Sequence, residues 1–99
     1  MPMLTDAVVD SILSIIHARR SAAQVVLYGS RARGDASAVS DIDIAVVDPS
    51  WTQEDVDQVH NRLEEEVPTA LKIDLVALHL VRKRDLARRI QREGIRIDE

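Results

Sequence analysis

The segment that most constrains the fold of this chain runs from Asp41 to Val47, because it begins with acidic and aliphatic residues in alternation. Aliphatic side chains stand at every second position, at Ile42, Ile44 and Val46. Asp41 and Asp43 occupy the other face. Side chains two residues apart on a strand project from the same face, ~6.6 Å apart along the backbone. The pattern therefore predicts a half-buried strand that presents two carboxylates together.

A second predicted strand lies earlier in the chain, in the short apolar run from Val25 to Tyr28, and it stops at Gly29-Ser30. Such a pattern is typical of a buried strand that runs directly into a tight turn. Glycine permits close approach of the backbone, the following amides can face an anion, and the hydroxyl of Ser30 can donate to a phosphate oxygen. The turn is therefore a candidate phosphate site, with an ordinary turn as the alternative.

Four helices and one further strand are predicted from apolar spacing, caps and breakers. They are a helix from Thr5 to Arg20, a single turn from Arg31 to Gly34, a helix from Thr52 to Pro68, a strand from Lys72 to Leu78 and a helix that ends at Gly94. We expect an α+β fold with α/β-type layering, in which about four helices cover a three-stranded mixed sheet. A length of 99 residues predicts one domain over residues 1–99.

Composition excludes several classes of function. The chain has no cysteine, which rules out disulfide scaffolds, zinc fingers and thiolate catalysis. Tyr28 and Trp51 are its only aromatic residues, so no aromatic platform for single-stranded nucleic acid is expected. No apolar run approaches the ~20 residues of a membrane span, and the N-terminus lacks the pattern of a signal peptide. We therefore expect a cytoplasmic protein with no direct nucleic-acid or membrane partner.

Charge is distributed unevenly along the chain, whose net charge is −4. Residues 1–81 hold 6 basic and 13 acidic residues, whereas residues 82–99 hold 7 basic and 4 acidic ones. The basic residues of this last segment are Arg82, Lys83, Arg84, Arg88, Arg89, Arg92 and Arg96. Two interpretations stay open for the segment: a solvated helix face, or a docking surface for an acidic partner or for nucleotide phosphates.

The carboxylates are candidate metal ligands. The oxygens of Asp41 and Asp43 suit a hard cation such as Mg²⁺, which keeps several waters and takes further ligands from substrate phosphates. The alternative for such a pair at the start of a strand is solvation in a loop.

Asp74 is a lone carboxylate in an apolar strand, where an unpaired buried charge is unfavourable. It either completes a three-carboxylate site and assists an attacking hydroxyl, or forms a salt bridge with Lys72 or an arginine.

Together these motifs resemble a known family. Gly29-Ser30, a gap of ten residues and Asp41-Ile42-Asp43 are similar to the signature of the polymerase β-like nucleotidyltransferase superfamily. Within it, the chain resembles the minimal nucleotidyltransferases, the MntA-type antitoxins. The resemblance extends over nearly the whole chain, including Ile73-Asp74-Leu75-Val76 in the third strand and the ending from Ile90 to Gly94. It implies a nucleotidyltransferase fold.

The activity that the resemblance implies is transfer of AMP from ATP, with Mg²⁺, onto a tyrosine hydroxyl of a HEPN-domain RNase toxin of the HepT type. The chain is then the antitoxin of a toxin–antitoxin pair and forms a hetero-oligomer with that toxin. The same resemblance makes Asp41, Asp43 and Asp74 the catalytic carboxylates and metal ligands, with Asp74 assisting the attacking hydroxyl. It makes Gly29 and Ser30 ligands of the triphosphate.

Two arginines and three histidines are further candidates for roles at this site. Attack on the α-phosphorus builds charge on the phosphoryl oxygens and on the departing pyrophosphate, which cations stabilise. Arg31 and Arg33 are close enough in sequence to bind nucleotide phosphates in this way, and the alternative is that they face solvent. The histidines, His17, His60 and His79, lack the spacing of a metal site or a triad, so they are predicted to be structural or at the surface.

Two other functions remain open on the sequence alone. A non-catalytic antitoxin masks its toxin by binding, but it has no need of three carboxylates beside a phosphate-binding turn. A nucleotidyltransferase can also act on a small-molecule hydroxyl, but 99 residues leave little material for an acceptor pocket. Protein adenylyl transfer is therefore the preferred hypothesis.

Overall fold

The helices and strands follow one another in the predicted order in the computed structural model, which describes residues 4–99. They are α1 (Asp6–Arg19), β1 (Gln24–Tyr28), α2 (Ser30–Arg33), β2 (Ile42–Val47), α3 (Gln53–Glu66), β3 (Ile73–Ala77), a 3₁₀ turn (Leu78–Leu80), α4 (Arg84–Glu93) and β4 (Ile95–Arg96). Thr5 and Thr52 cap α1 and α3, as predicted. Within the described range, no helix is both long and apolar enough to cross a membrane.

The sheet is mixed, as predicted, but it has four strands in the order β3-β2-β1-β4. β1 pairs antiparallel with both β2 and β4, and β2 pairs parallel with β3. The prediction of three strands is therefore wrong. The additional strand, β4, has only two residues, which pair with Val26 and Leu27 of β1. Two residues are too few to show an alternating pattern, so the sequence predicts only an extended end there.

One face of the sheet carries the main hydrophobic core. The alternating aliphatic residues of β2, which are Ile42, Ile44 and Val46, are fully buried there. Helices α1 and α3 cover this face, and Ile12 of α1 and Leu63 of α3 are also fully buried. Burial of each such side chain stabilises the fold by about 1.5–3 kcal/mol. The predicted orientation of β2 is confirmed.

The opposite face is covered less completely. Its buried cluster consists of Val26, Tyr28, Ala45 and Ile90, and among these only Ile90 comes from a helix, α4. Helix α4 has 10 residues, whereas α1 and α3 have 14 each. Since one short helix covers this face, room is left on it for polar side chains at the strand ends.

The histidines are structural, as predicted. Nε2 of each lies 2.8 to 2.9 Å from a backbone carbonyl oxygen, in the pairs His17 and Ala23, His60 and Ile73, and His79 and Trp51. Trp51 itself is buried in the main core, at the segment that leads into α3. These bonds fix α1, α3 and the 3₁₀ turn to neighbouring backbone segments.

A buried carboxylate, Asp55, joins α1 to α3. Its Oδ2 accepts a hydrogen bond from the Thr52 amide at 2.8 Å and completes a capping box. Nε of Arg19 donates to Oδ1 at 2.7 Å, and Nη2 of Arg20 donates to Oδ2 at 3.1 Å. The Thr52 amide, followed by these arginines, stabilises the ionised form and holds the pKa of Asp55 well below its usual range. The sequence predicted the cap at Thr52 but not this network.

Replacing Asp55 with asparagine removes the charge on which this network depends. We expect the melting temperature at neutral pH to fall by about 4–8 °C, the shift that loss of one helix cap causes in a domain of this size. Because the folded pKa of Asp55 lies below the unfolded one, its contribution is complete above the unfolded value and is lost as pH falls toward the folded value. The difference between the native chain and the variant therefore narrows below about pH 4.

Thermal unfolding followed by circular dichroism, at neutral pH and at several acidic values, measures both effects. Asp57→Asn is the matched control, since Asp57 is exposed on the same helix and its side chain accepts a hydrogen bond from Gln53. An equal loss in the control, or a difference that does not change with pH, contradicts the prediction.

Candidate functional site

Two of the predicted carboxylates come together at one end of the sheet. Asp43 of β2 is in register with Asp74 of β3 on one side and with Tyr28 of β1 on the other. Residues paired across neighbouring strands lie ~4.8 Å apart in the pairing direction and project from the same face. Asp74, Asp43 and Tyr28 therefore form a row across three strands, on the face that α4 covers.

Asp41 lies directly before β2 and is exposed. The pKa of Asp43 is raised, first by partial burial and then by the negative charges of Asp74 and Asp41. The positive charges of Arg31 and Arg33 act in the opposite direction. The three predicted carboxylates are thus close enough for their charges to interact.

This concentration of negative charge suits a divalent cation, which relieves the repulsion among the carboxylates. Across residues 4–99, no three acidic, histidine or cysteine side chains converge as a ready-made ligand set. The donors therefore fit a cation that takes some of its ligands from the protein and the others from water and phosphate oxygens, as Mg²⁺ does. Metal binding by Asp41, Asp43 and Asp74 stays a prediction.

Asp74 is more exposed than the sequence suggests. Its side chain is 43% exposed, and Nζ of Lys72 lies 3.9 Å from Oδ1. The buried charge that its apolar neighbours suggest is not found, because Asp74 lies on β3, one of the two edge strands of the sheet. An exposed ion pair of this length contributes little to stability. Asp74 therefore has both the predicted salt bridge to Lys72 and a place beside Asp43, and it is open to a reacting group.

Gly29 brings the backbone close to the Asp43 carboxylate. Its φ is +76°, in the region that favours glycine, and it joins the end of β1 to the start of α2. A Cβ atom at Gly29 would overlap Oδ2 of Asp43. Gly34, at the end of α2, also has a positive φ, of +85°, but a Cβ atom there would meet nothing within 4 Å. Only Gly29 is required both for the turn and for the space beside Asp43.

Arg31 fixes the loop that leads to Asp41. Its Nε and Nη2 donate to the carbonyl oxygen of Ser40, the residue before Asp41, at 3.2 and 2.7 Å. This contact holds the backbone that places the Asp41 carboxylate. The sequence predicted Arg31 as a nucleotide ligand, and that role stays a prediction beside this positioning contact.

The other predicted nucleotide ligands lie on α2 as well. Ser30 is the first residue of α2 and is half-buried. Arg33, at the end of α2, is exposed and forms ion pairs with Asp35 at 3.2 Å and with Glu93 at 3.5 Å. The second pair links α2 to the last residue of α4. Contact of Ser30 and Arg33 with a nucleotide stays a prediction.

Tyr28 belongs to the site as well as to the core. Burial, followed by the negative charges of Asp43 and Asp74, raises the pKa of Tyr28 to about 12. The sequence predicted Tyr28 as a core residue, which its burial confirms. Its place beside the carboxylates follows from strand register, since an antiparallel pair that meets near Gly29 places Tyr28 opposite Asp43.

The fold and the row of carboxylates beside a glycine turn define a nucleotidyltransferase. The family model described as "Polymerase beta, Nucleotidyltransferase" matches residues 10–99. The chain belongs to this family, which confirms the resemblance found in its motifs. No match is found among curated proteins.

Two solved structures are similar to the chain. One is a crystal structure of a toxin–antitoxin with AMP-PNP, at a TM-score of 0.74 and 21% identity, covering 90% of this chain and 71% of the other. The second is a mutant of the toxin–antitoxin MntA-HpeT, at a TM-score of 0.69 and 18% identity, covering 87% of this chain and 68% of the other. At these identities the likeness establishes the fold.

A pair of glycine substitutions compares the glycine beside Asp43 with one that lies away from it. Gly34→Ala places a side chain in the left-handed helical region, which costs roughly 1–2 kcal/mol, whereas Gly29→Ala places one at a ψ of −155°, in a region that only glycine adopts readily. Gly29→Ala also displaces the Asp43 carboxylate, so we expect its free energy of unfolding to fall further than that of Gly34→Ala. Urea denaturation of both variants measures the difference, and equal losses contradict the close approach between Gly29 and Asp43.

Proposed function

We propose that this chain is a Mg²⁺-dependent protein adenylyltransferase that acts as the antitoxin of a toxin–antitoxin pair. Its substrate is ATP, and its acceptor is a tyrosine hydroxyl of a HEPN-domain RNase toxin of the HepT type, with which it forms a hetero-oligomer. The observation that carries the proposal is the register of Asp43 with Asp74. In this register the Asp43 carboxylate also lies against the backbone at Gly29, where there is no side chain. This arrangement places the Asp43 carboxylate at the turn, among negative charges that a cation would relieve.

In this proposal Asp41, Asp43 and Asp74 hold the metal. The raised pKa of Asp43 supports the assignment, because neighbouring carboxylates that repel one another are stabilised by a shared cation. Bound there, Mg²⁺ neutralises charge on the triphosphate and on the departing pyrophosphate. The protein contributes two carboxylates in register and a third on the loop before β2.

The turn after β1 binds the triphosphate in this proposal. Gly29 allows the Asp43 carboxylate to lie against the backbone of the turn, so a cation held by Asp43 would stand next to a phosphate bound by the Ser30 hydroxyl. Arg31 and Arg33 lie close enough for their positive charges to act on Asp43, and the same charges stabilise phosphate oxygens. Arg31 also keeps Asp41 in place through the Ser40 carbonyl.

In the transfer step, the acceptor hydroxyl oxygen forms a bond to the α-phosphorus while the bond from that phosphorus to the β-phosphate oxygen breaks. Pyrophosphate leaves, and the hydroxyl proton passes to a carboxylate oxygen of Asp74. Asp74 suits this role because it lies beside Asp43 and is 43% exposed, so an incoming hydroxyl can reach it. As a general base at this position, Asp74 accepts the proton while the hydroxyl oxygen attacks.

A protein acceptor is favoured over a small molecule. The carboxylates lie on the sheet face that α4 covers only in part, so a large acceptor can approach them. The similar solved structures are toxin–antitoxin structures, and one of them carries AMP-PNP. Because the proposed substrate is ATP, we expect the protein to act in the cytoplasm.

The proposal predicts that a HEPN-domain toxin of the HepT type gains AMP units when it is incubated with the chain, ATP and Mg²⁺. Intact-mass spectrometry of the toxin measures the gain, and peptide mapping identifies the acceptor tyrosine. The Asp41→Asn/Asp43→Asn variant should leave the mass of the toxin unchanged, because it loses the charges that hold the cation. We expect a loss of transfer rate of at least about 100-fold.

Asp48→Asn is the matched control, since Asp48 follows the far end of β2 and its side chain contacts Ser50 instead of the site. The control should transfer AMP like the native chain. An unchanged toxin mass with the native chain, in a tight complex that inhibits the toxin, contradicts transfer and supports masking by binding alone.

A further inference from the structure

We propose that the acceptor protein docks in the groove between the edge strand β3 and the start of α4, through a segment that combines an apolar residue with acidic ones. The inference rests on the proposed function for the identity of the partner. It also gives a role to part of the basic C-terminal segment, which the proposed chemistry does not use.

The groove is apolar along its floor. Its volume is about 290 Å³, and its lining includes Leu75, Val76, Leu80, Val81 and Leu86. Leu80 is 38% exposed, although most large aliphatic side chains of residues 4–99 are buried. Such an opening suits one aliphatic or aromatic side chain of a protein partner.

The rim of the groove is cationic. Arg82 and Lys83 line it and are exposed, and neither forms an ion pair within the described part of the chain. Arg62 and Arg96, by contrast, are each bound to a neighbouring carboxylate at 2.8 Å. The positive charge at the rim is therefore available to an acidic partner, whose approach and orientation it favours.

The groove and the site lie along the same strand. Val76, in its lining, and Asp74 are two residues apart on β3, so their side chains project from the same face ~6.6 Å apart. A segment held in the groove can therefore extend along β3 to the carboxylates. Docking there brings a hydroxyl of the partner to Asp74 and Asp43.

A protein fits this surface better than a nucleic acid. The lining is mainly aliphatic, both aromatic residues of the chain are buried, and the net charge is −4. β3 is also an edge strand, and an edge strand can bind an extended protein segment through backbone hydrogen bonds.

The test is binding of the purified HEPN-domain toxin, made catalytically inactive, to charge-reversed variants of the full chain. Arg82→Glu/Lys83→Glu should raise the Kd for the toxin about tenfold or more, as measured by calorimetry. The matched control is Arg88→Glu/Arg92→Glu, which reverses two charges on α4 that do not line the groove. The control should change the Kd less than about threefold.

A second measurement does not depend on charge. A photo-reactive amino acid at Leu80 should crosslink to the toxin, whereas the same group at Ser14, exposed on α1, should not. Native affinity in Arg82→Glu/Lys83→Glu, equal loss in both double variants, or crosslinking at Ser14 alone overturns the proposal. Loss of binding to an RNA oligonucleotide in the groove variant, with toxin binding unchanged, overturns it in favour of nucleic acid.

The docking proposal and the proposed function can fail separately. If the toxin binds through the groove but gains no AMP, docking stands and transfer fails. If the toxin gains AMP and the groove variant transfers it with unchanged KM for the toxin, transfer stands and docking fails. If the native chain does not bind the toxin at all, docking is overturned.

Discussion

The burial of alternate aliphatic side chains in β2 determines where every reactive group of this chain lies. Ile42, Ile44 and Val46 are fully buried against α1 and α3, so Asp43 must project from the opposite face. A shift of the strand by one residue would bury the carboxylate and expose the aliphatic row, at a cost of several kcal/mol. The pairings of β2 with β1 and β3 then bring Tyr28 and Asp74 to the same row. The hydrophobic core thus positions the polar site from the opposite face of the sheet.

The position of Asp43 has an electrostatic cost, because burial and neighbouring carboxylates disfavour its ionised form. Asp43 lies among like charges in a partly buried setting, and its pKa is raised in consequence. Asp55 is also buried, yet its pKa is low because an amide and two arginines bind it. The contrast separates a carboxylate whose ionised form the fold stabilises from one whose ionised form its surroundings disfavour. A bound cation would stabilise such a site more than it would stabilise a site whose charges are already paired.

The sequence predicted those parts of the structure that depend on repeating patterns or on a local motif. Alternation predicted β2 and the face that carries Asp43, and a glycine after an apolar run predicted the turn at Gly29. The two-residue strand β4 has no pattern of its own, since it forms only because it pairs with β1. The exposure of Asp74 depends on its place on an edge strand, which is a property of the tertiary structure. The Arg19, Arg20 and Asp55 network joins residues about 35 positions apart, beyond the reach of any local signal.

The unequal cover of the two sheet faces links the site to the docking groove. Two helices of 14 residues bury one face, and one helix of 10 residues covers the other. Asp74 is 43% exposed at the start of β3, and the apolar groove lies at the other end of the same strand, where residues of both α3 and α4 line it. In the proposed complex, a partner that fills the less covered face would complete the cover of the sheet and present its hydroxyl to Asp74 in one step.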